Sequence, residues 1–229
     1  MRALLITIVV LLGLAVAADR IAVTVAQNRV GAELARQGGL AGSPTVEITG
    51  FPFLTQAVEG TYQDVRISLT ADELRQPAGT RADVSLQGVH VPLSSVLSGS
   101  VSSVPVDRID GTATLSYALL SAQLGGDTVL HREGDGLRIT KTVDIAGATL
   151  PLTAAGTVTL DGNDLVVSVQ QASGAGVDIP SFIVEEASSL LSFRYTIPAL
   201  PFGLQLTAIR PADDGVMVNV HATSAVLGR

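Results

Sequence analysis

The residues of this chain that could do chemistry are few and scattered. Histidine stands at His90, His131 and His221, far apart and each inside or beside an alternating apolar pattern. None has an acidic or histidine partner at the short spacing that lets two side chains share a metal ion. Cysteine is absent, which removes thiolate ligands, a cysteine nucleophile, any disulfide framework and a lipid-modified cysteine anchor. Serine is frequent, yet no G-x-S-x-G elbow occurs, and Ser98-Gly99-Ser100 reads as a loop. Gly174-Ala175-Gly176 lacks the third glycine and the strand–turn–helix setting of a dinucleotide loop. Glu185 and Glu186 are adjacent in a helical pattern and so do not face each other as a catalytic carboxylate pair does. Asp213-Asp214 falls in a turn, where aspartate serves local hydrogen bonds, with calcium as the weaker alternative. The sequence offers no catalytic residue, metal ligand or cofactor loop, and the expectation is a protein that is not an enzyme.

What the chain does offer is regular apolar patterning. Arg2 precedes an apolar run from Ala3 to Ala18, broken only by Thr7 and Gly13. A positive start, an apolar centre and the small residues Ala15-Val16-Ala17-Ala18 match a secretory leader with an A-x-A site. Sixteen residues fall just short of the ~17–25 that span a bilayer, so residues 1–18 are either a cleaved signal peptide or an N-terminal membrane anchor. Both place residues 19–229, expected as one domain, beyond the outer face of the cytoplasmic membrane, on the periplasmic side of the cell envelope.

Asp19 to Gln37 has Ile21, Val25 and Leu34 at near-helical spacing, with Asp19 as an N-cap and Gly38-Gly39 as a stop, and predicts a helix that continues the leader. From Val46 the period becomes two. Val65, Ile67 and Leu69 alternate with polar residues, as do Val84 and Leu86, Val89 and Val91, Val104 and Val106, Leu137 and Ile139, Val143 and Ile145. The same holds for Leu165, Val167 and Val169, and for Val216, Val218 and Val220. Such alternation marks strands with one apolar face. Turn signals separate the later ones, at Gly134-Asp135-Gly136, at residues 161–164 and at Asp213-Asp214-Gly215. Helices are predicted over Ser116–Leu124 and Pro180–Ser192, with a helical turn over Pro92–Leu97. The pattern is α+β: an elongated, curved antiparallel sheet wrapped around a few amphipathic helices.

Composition narrows the function classes. Of 229 residues, 47% are hydrophobic and only 3% aromatic, and 15% are charged, against roughly 25% charged in an average globular chain. A net charge of −7 excludes a nucleic-acid binder, which needs a basic stripe to displace counterions. A mean hydropathy of +0.44 excludes a disordered chain.

Two segments that read as turns place apolar residues around prolines. One is Gly50-Phe51-Pro52-Phe53-Leu54-Thr55-Gln56; the other is Ile197-Pro198-Ala199-Leu200-Pro201-Phe202-Gly203-Leu204. They are either plugs that close the ends of the sheet or the wall of a pocket for an apolar ligand.

Those residues also carry a resemblance. V-x-I-x-G-F-P-F-L-x-Q (Val46, Ile48, Gly50 to Leu54, Gln56) followed by G-x-Y-x-D-V-x-I (Gly60, Tyr62, Asp64, Val65, Ile67) is similar to the actinobacterial LmeA-like phospholipid-binding family. The strand Ile109-Asp110-Gly111-Thr112-Ala113 before the second helix, and Leu200-Pro201-Phe202-Gly203-Leu204 before the last hairpin, fit the same family. The resemblance implies a tubular, TULIP-like lipid-transfer fold and an envelope protein that binds phospholipid, phosphatidylinositol-type lipids included. In mycobacterial members it implies a role in lipomannan elongation. No cofactor is implied.

On this reading acyl chains lie against Phe51, Phe53, Leu54, Tyr117, Leu120, Leu124, Phe182, Ile183, Leu200, Phe202 and Leu204. Each buried CH₂ contributes ~0.8 kcal/mol, so one enclosed chain supplies affinity without a charge clamp. A lipid phosphate would be met by local arginines, with Arg66, Arg108 and Arg194 as candidates. The alternative is a structural or scaffold protein of the envelope whose sheet closes on its own core.

Overall fold

A computed structural model describes residues 2–98, 101, 103–123, 127–145, 148–162, 164–174, 193–196, 200 and 203–228. The predicted helix over Pro180–Ser192 lies outside the described residues. The elements in chain order are α1 (Arg2–Gly38), β1 (Thr45–Thr49), α2 (Phe53–Glu59), β2 (Thr61–Leu69), α3 (Ala71–Leu74), β3 (Arg81–His90), α4 (Leu93–Ser98) and β4 (Ser103–Ser116). They continue with α5 (Tyr117–Gln123), β5 (Thr128–Glu133), β6 (Gly136–Ile145), β7 (Ala148–Asp161), β8 (Asp164–Gly174), β9 (Phe193–Thr196), β10 (Gln205–Pro211) and β11 (Gly215–Gly228). Six strands form one sheet in the order β1-β2-β3-β4-β11-β10, and five form another in the order β5-β6-β7-β8-β9. The pairings whose register is resolved are antiparallel. The fold is α+β, as the alternation predicts.

The chain divides into two compact units: residues 1–69, 83–110 and 222–229 form the first, and residues 70–82 and 111–221 the second.

In the first unit the apolar run and the following segment are one continuous helix, α1, so Asp19 lies inside it and not at its N-cap, because neither a proline nor a glycine pair stands between Arg2 and Gly38. Val23 of α1 packs with Phe53 and Ala57 of α2, flanked by Ala22, Ala26, Ile48 and Tyr62. The hairpin partners β1 and β2 place Val46 opposite Ile67 and Ile48 opposite Val65. In β3 the two short alternations around Leu86 and Val89 belong to one strand: both residues are buried although three positions apart. Gly88 between them has φ +62°, a left-handed turn of the backbone that resets the phase of alternation. Ser224 does the same in β11, with φ +54° between buried Ala222 and Ala225.

The second unit contains three successive antiparallel pairs, β5–β6, β6–β7 and β7–β8; the first closes at Gly134-Asp135 and the third at residues 161–164, where Gly and Asp signals stand. Leu130 lies opposite Ile139 and Ile139 opposite Ala154, a row of small and aliphatic side chains across β5 to β7, while Val158 lies opposite Val167 further along the β7–β8 pair. Leu120 of α5 covers that row together with Leu137, Leu152, Leu165 and Val216. Ser116 caps α5, its Oγ accepting the Leu119 N–H at 3.2 Å.

Burial sets the expected effect of mutation. Leu165 is fully buried at 0% exposure while Val129, on the outward face of β5, is 47% exposed. Leu165→Ala should lower the stability of the second unit by ~2–5 kcal/mol, and Val129→Ser should change it by less than about 0.5 kcal/mol. Urea unfolding followed by circular dichroism checks both.

Candidate functional site

Two places in the chain concentrate apolar surface that the core does not consume. The first surrounds the start of α2. Pro52, at the N-cap of this helix, offers no side-chain hydrogen bond to it. The missing acceptor comes from α1: Asp19 Oδ1 receives the Leu54 N–H at 2.8 Å. Asp19 is only 3% exposed, and its other oxygen is held by the Arg20 guanidinium. Arg20 in turn lies over the Phe51 ring, 5.1 Å from its centroid, a cation–π contact. One face of α2, with Phe53, Gln56 and Ala57, is buried. Phe51, Leu54 and Val58 remain 61%, 42% and 75% exposed.

Gln56 ties the loop to the sheet. Its amide nitrogen donates to the Thr49 carbonyl at 3.2 Å and its amide oxygen accepts the Gln63 N–H at 2.9 Å. Gly50 runs against this side chain at φ +95°; a Cβ there would come within 2.7 Å of Gln56 Nε2. Tyr62 stacks at a tilt on Phe53, with centroids 6.1 Å apart, and burial pushes its phenol up. Asp64 then bridges three strands, accepting from Ser85 Oγ at 2.6 Å, Thr49 Oγ1 at 3.3 Å and Arg66 Nε at 2.8 Å.

The second place is a cleft of about 390 Å³ in the second unit, within the range of small-ligand sites. Its walls are mainly aliphatic: Leu74 of α3, Ala82 of β3, Ala113 and Leu115 of β4, and Leu119 of α5. Gln76, Thr80, Arg81 and Thr114 supply the polar part of the lining. Thr80 Oγ1 donates to Ser116 Oγ at 3.0 Å and Arg81 pairs with Asp214 at 3.2 Å. The Thr114 hydroxyl is buried without a hydrogen-bond partner.

A family model described as LmeA-like phospholipid-binding matches residues 17–221. The chain belongs to that family. No curated protein and no solved structure matches it. The match runs through both units, so the LmeA-like pattern covers the end of the leader, the Phe-Pro loop and the antiparallel pairs β5–β6, β6–β7 and β7–β8.

The residues expected to touch lipid fall into separate surroundings. Phe53 is buried in the α1–α2 cluster and Leu120 in the core of the second unit, with Tyr117 half-buried at its edge. Tyr117 donates its hydroxyl to the Ala212 carbonyl at 2.7 Å. Phe51 and Leu54 stand on the surface, and Leu200 and Leu204 are half-buried. Leu124, Phe182, Ile183 and Phe202 lie outside the described residues. The cleft residues Leu74 and Ala82 carried no sequence signal, and Ala113 entered only as part of a family-like strand, because short aliphatic side chains on three elements have no spacing in common.

The candidate phosphate arginines are all paired. Arg66 bonds Asp64, Arg108 bonds Asp110, and Arg194 bonds both Asp161 and Asp164. Asp213 and Asp214 likewise hold Arg132 and Arg81. His90 Nε2 lies 3.2 Å from Asp107 and its Nδ1 3.3 Å from Thr61. Among the described residues no cluster of three His, Asp or Glu side chains could hold a metal ion.

The cap on α2 is testable. Asp19→Ala should cost ~0.5–2 kcal/mol, the usual value of a lost helix cap, and should speed amide exchange over residues 53–59. Hydrogen-exchange mass spectrometry reads the effect. Unchanged protection of that segment would mean that Asp19 does not hold it.

Proposed function

We propose that this protein is an exported envelope protein that binds phospholipid at the outer face of the cytoplasmic membrane, without catalysing a reaction. Membership of the LmeA-like phospholipid-binding family across residues 17–221 carries the reading. The apolar helix α1 supports delivery to a membrane: among the described residues it alone is long and apolar enough to cross one, and Leu4 to Val16 are exposed along it. Residues 19–229 act as one lipid-binding domain, of tubular, TULIP-like architecture, whether the leader stays as an anchor or is cut.

The cleft between α3, β4 and α5 is the best-supported acyl site. Its lining is mostly aliphatic, and Tyr117 and Leu120 sit on the same helix as its Leu119. Binding by aliphatic contact suits an acidic chain whose candidate arginines are already neutralised by carboxylates. A phosphatidylinositol-type headgroup fits such a cleft better than a bare phosphate does, because its hydroxyls can pair with the exposed Gln76 amide on the lining. Support of lipid or lipoglycan metabolism or transport is the role consistent with such a ligand.

A scaffold role is the second reading. One observation favours it: Leu120 closes the face of the five-stranded sheet, leaving Leu165, Leu137 and Ile139 at 1% exposure or less.

Retention of an acyl-labelled phosphatidylinositol by the full chain in detergent micelles separates these readings. The natural chain should retain the lipid, and Ala113→Trp, which fills the cleft, should weaken retention by at least ~tenfold, about 1.4 kcal/mol. Equal retention by Ala113→Trp would move the acyl chain out of the cleft. No retention by the natural chain would leave the scaffold reading.

A further inference from the structure

We infer that Phe51, Leu54 and Val58 form a foot that enters the headgroup region of the bilayer beside the apolar helix, so that the first unit lies against the membrane. The inference rests on the membrane attachment proposed above for α1, and deepens it by naming the surface that meets the lipid.

Three observations carry it. First, α2 carries apolar residues on both faces, with Thr55 and Glu59 also exposed on the outward one. Phe53 and Ala57 are buried, while Leu54 and Val58, one turn apart on the outward side, are exposed along with Phe51. An apolar surface of this kind beside a polar neighbour marks a contact with something other than water.

Second, the foot is fixed at the end of the apolar helix. The Leu54 N–H is bonded to Asp19, and Arg20 lies over Phe51. Asp19 and Arg20 are the first charged residues after the apolar run that starts at Ala3. The foot therefore stands at the level where the helix leaves the hydrocarbon.

Third, the lengths favour immersion of that level. Residues 3–18 at 1.5 Å each span ~24 Å, whereas the hydrocarbon core is ~30 Å thick. Drawing in another turn of α1 makes up the difference with less thinning of the bilayer. The following turns carry Ile21 and Val25, exposed at 66% and 48%. The acidic group in that turn does not oppose entry, since Asp19 is covered and paired with Arg20 and the Leu54 N–H. Arg20, half-exposed, reaches outward to lipid phosphate while Phe51 lies at the boundary favoured by aromatic rings.

The chain has no cysteine, so one introduced thiol labels one place. Val58→Cys and Leu14→Cys, each in the full chain and carrying an environment-sensitive fluorophore, are reconstituted into phosphatidylcholine–phosphatidylglycerol vesicles. Spin-labelled lipids quench from the membrane and iodide quenches from water. The label at 14 reports insertion of α1. With α1 inserted, the label at 58 should be quenched at least ~twofold by a spin label near the headgroup and be shielded from iodide. A label at 58 that is open to iodide and untouched by the spin-labelled lipid overturns the foot. A label at 14 that is also open to iodide overturns the membrane attachment on which the foot rests, and the foot with it. Lipid retention measured on the same Val58→Cys protein tests phospholipid binding separately, since retention needs no contact between residue 58 and a vesicle.

Discussion

A helix of seven residues that begins after a proline has no side chain of its own to receive its first N–H groups. In this protein the acceptor is Asp19, brought from a different helix, and the first unit is organised around that bond. It sets Phe53 against Val23, which brings Tyr62 and the start of β2 into place, and leaves Gln56 positioned to join β1 to β2. The same bond joins the apolar leader helix to the folded part of the chain. Asp19 lies just beyond the small residues at 15–18, so cutting the leader at those residues would remove the apolar helix and leave the clamp.

Much of the fold was legible because alternation and turn chemistry are local. The hairpin turns at Gly134-Asp135, at 161–164 and at Asp213-Asp214 stand where Gly and Asp signals stood, and the leader does run on as one helix to Gly38. The helix α5 follows its capping serine as read. What the sequence concealed was tertiary. The Phe-Pro segment read as a turn, yet Phe53 to Glu59 is helical, because the acceptor that permits it lies 35 positions upstream at Asp19. Leu86 and Val89 read as two alternations because the left-handed Gly88 between them is visible only in the backbone.

The candidate site was less legible than the fold for a related reason. The G-F-P-F-L-x-Q and G-x-Y-x-D-V-x-I motifs that carry the family resemblance prove largely architectural: Gly50, Phe53, Gln56, Tyr62 and Asp64 each hold the first unit together. Phe51, Pro52 and Leu54 of the first motif stay exposed. The aliphatic cleft of the second unit is assembled from α3, β3, β4 and α5, and no one of these segments stands out from ordinary strand or helix composition. An apolar site made of Leu and Ala has no chemical signature in one dimension, unlike a metal or nucleophile site, whose rare residue types announce it.

The low charge of the chain also acquires a structural meaning. Arg66, Arg81, Arg108, Arg132 and Arg194 are paired with nearby aspartates, so the binding proposed for the cleft rests on apolar contact. Native mass spectrometry of the full chain, released gently from detergent after purification from cells, tests that account most directly. It predicts a population heavier than the bare polypeptide by the mass of a two-chain phospholipid, identified by fragmentation and exchangeable with added phosphatidylinositol. A spectrum of bare polypeptide alone, unchanged after incubation with that lipid, would contradict it.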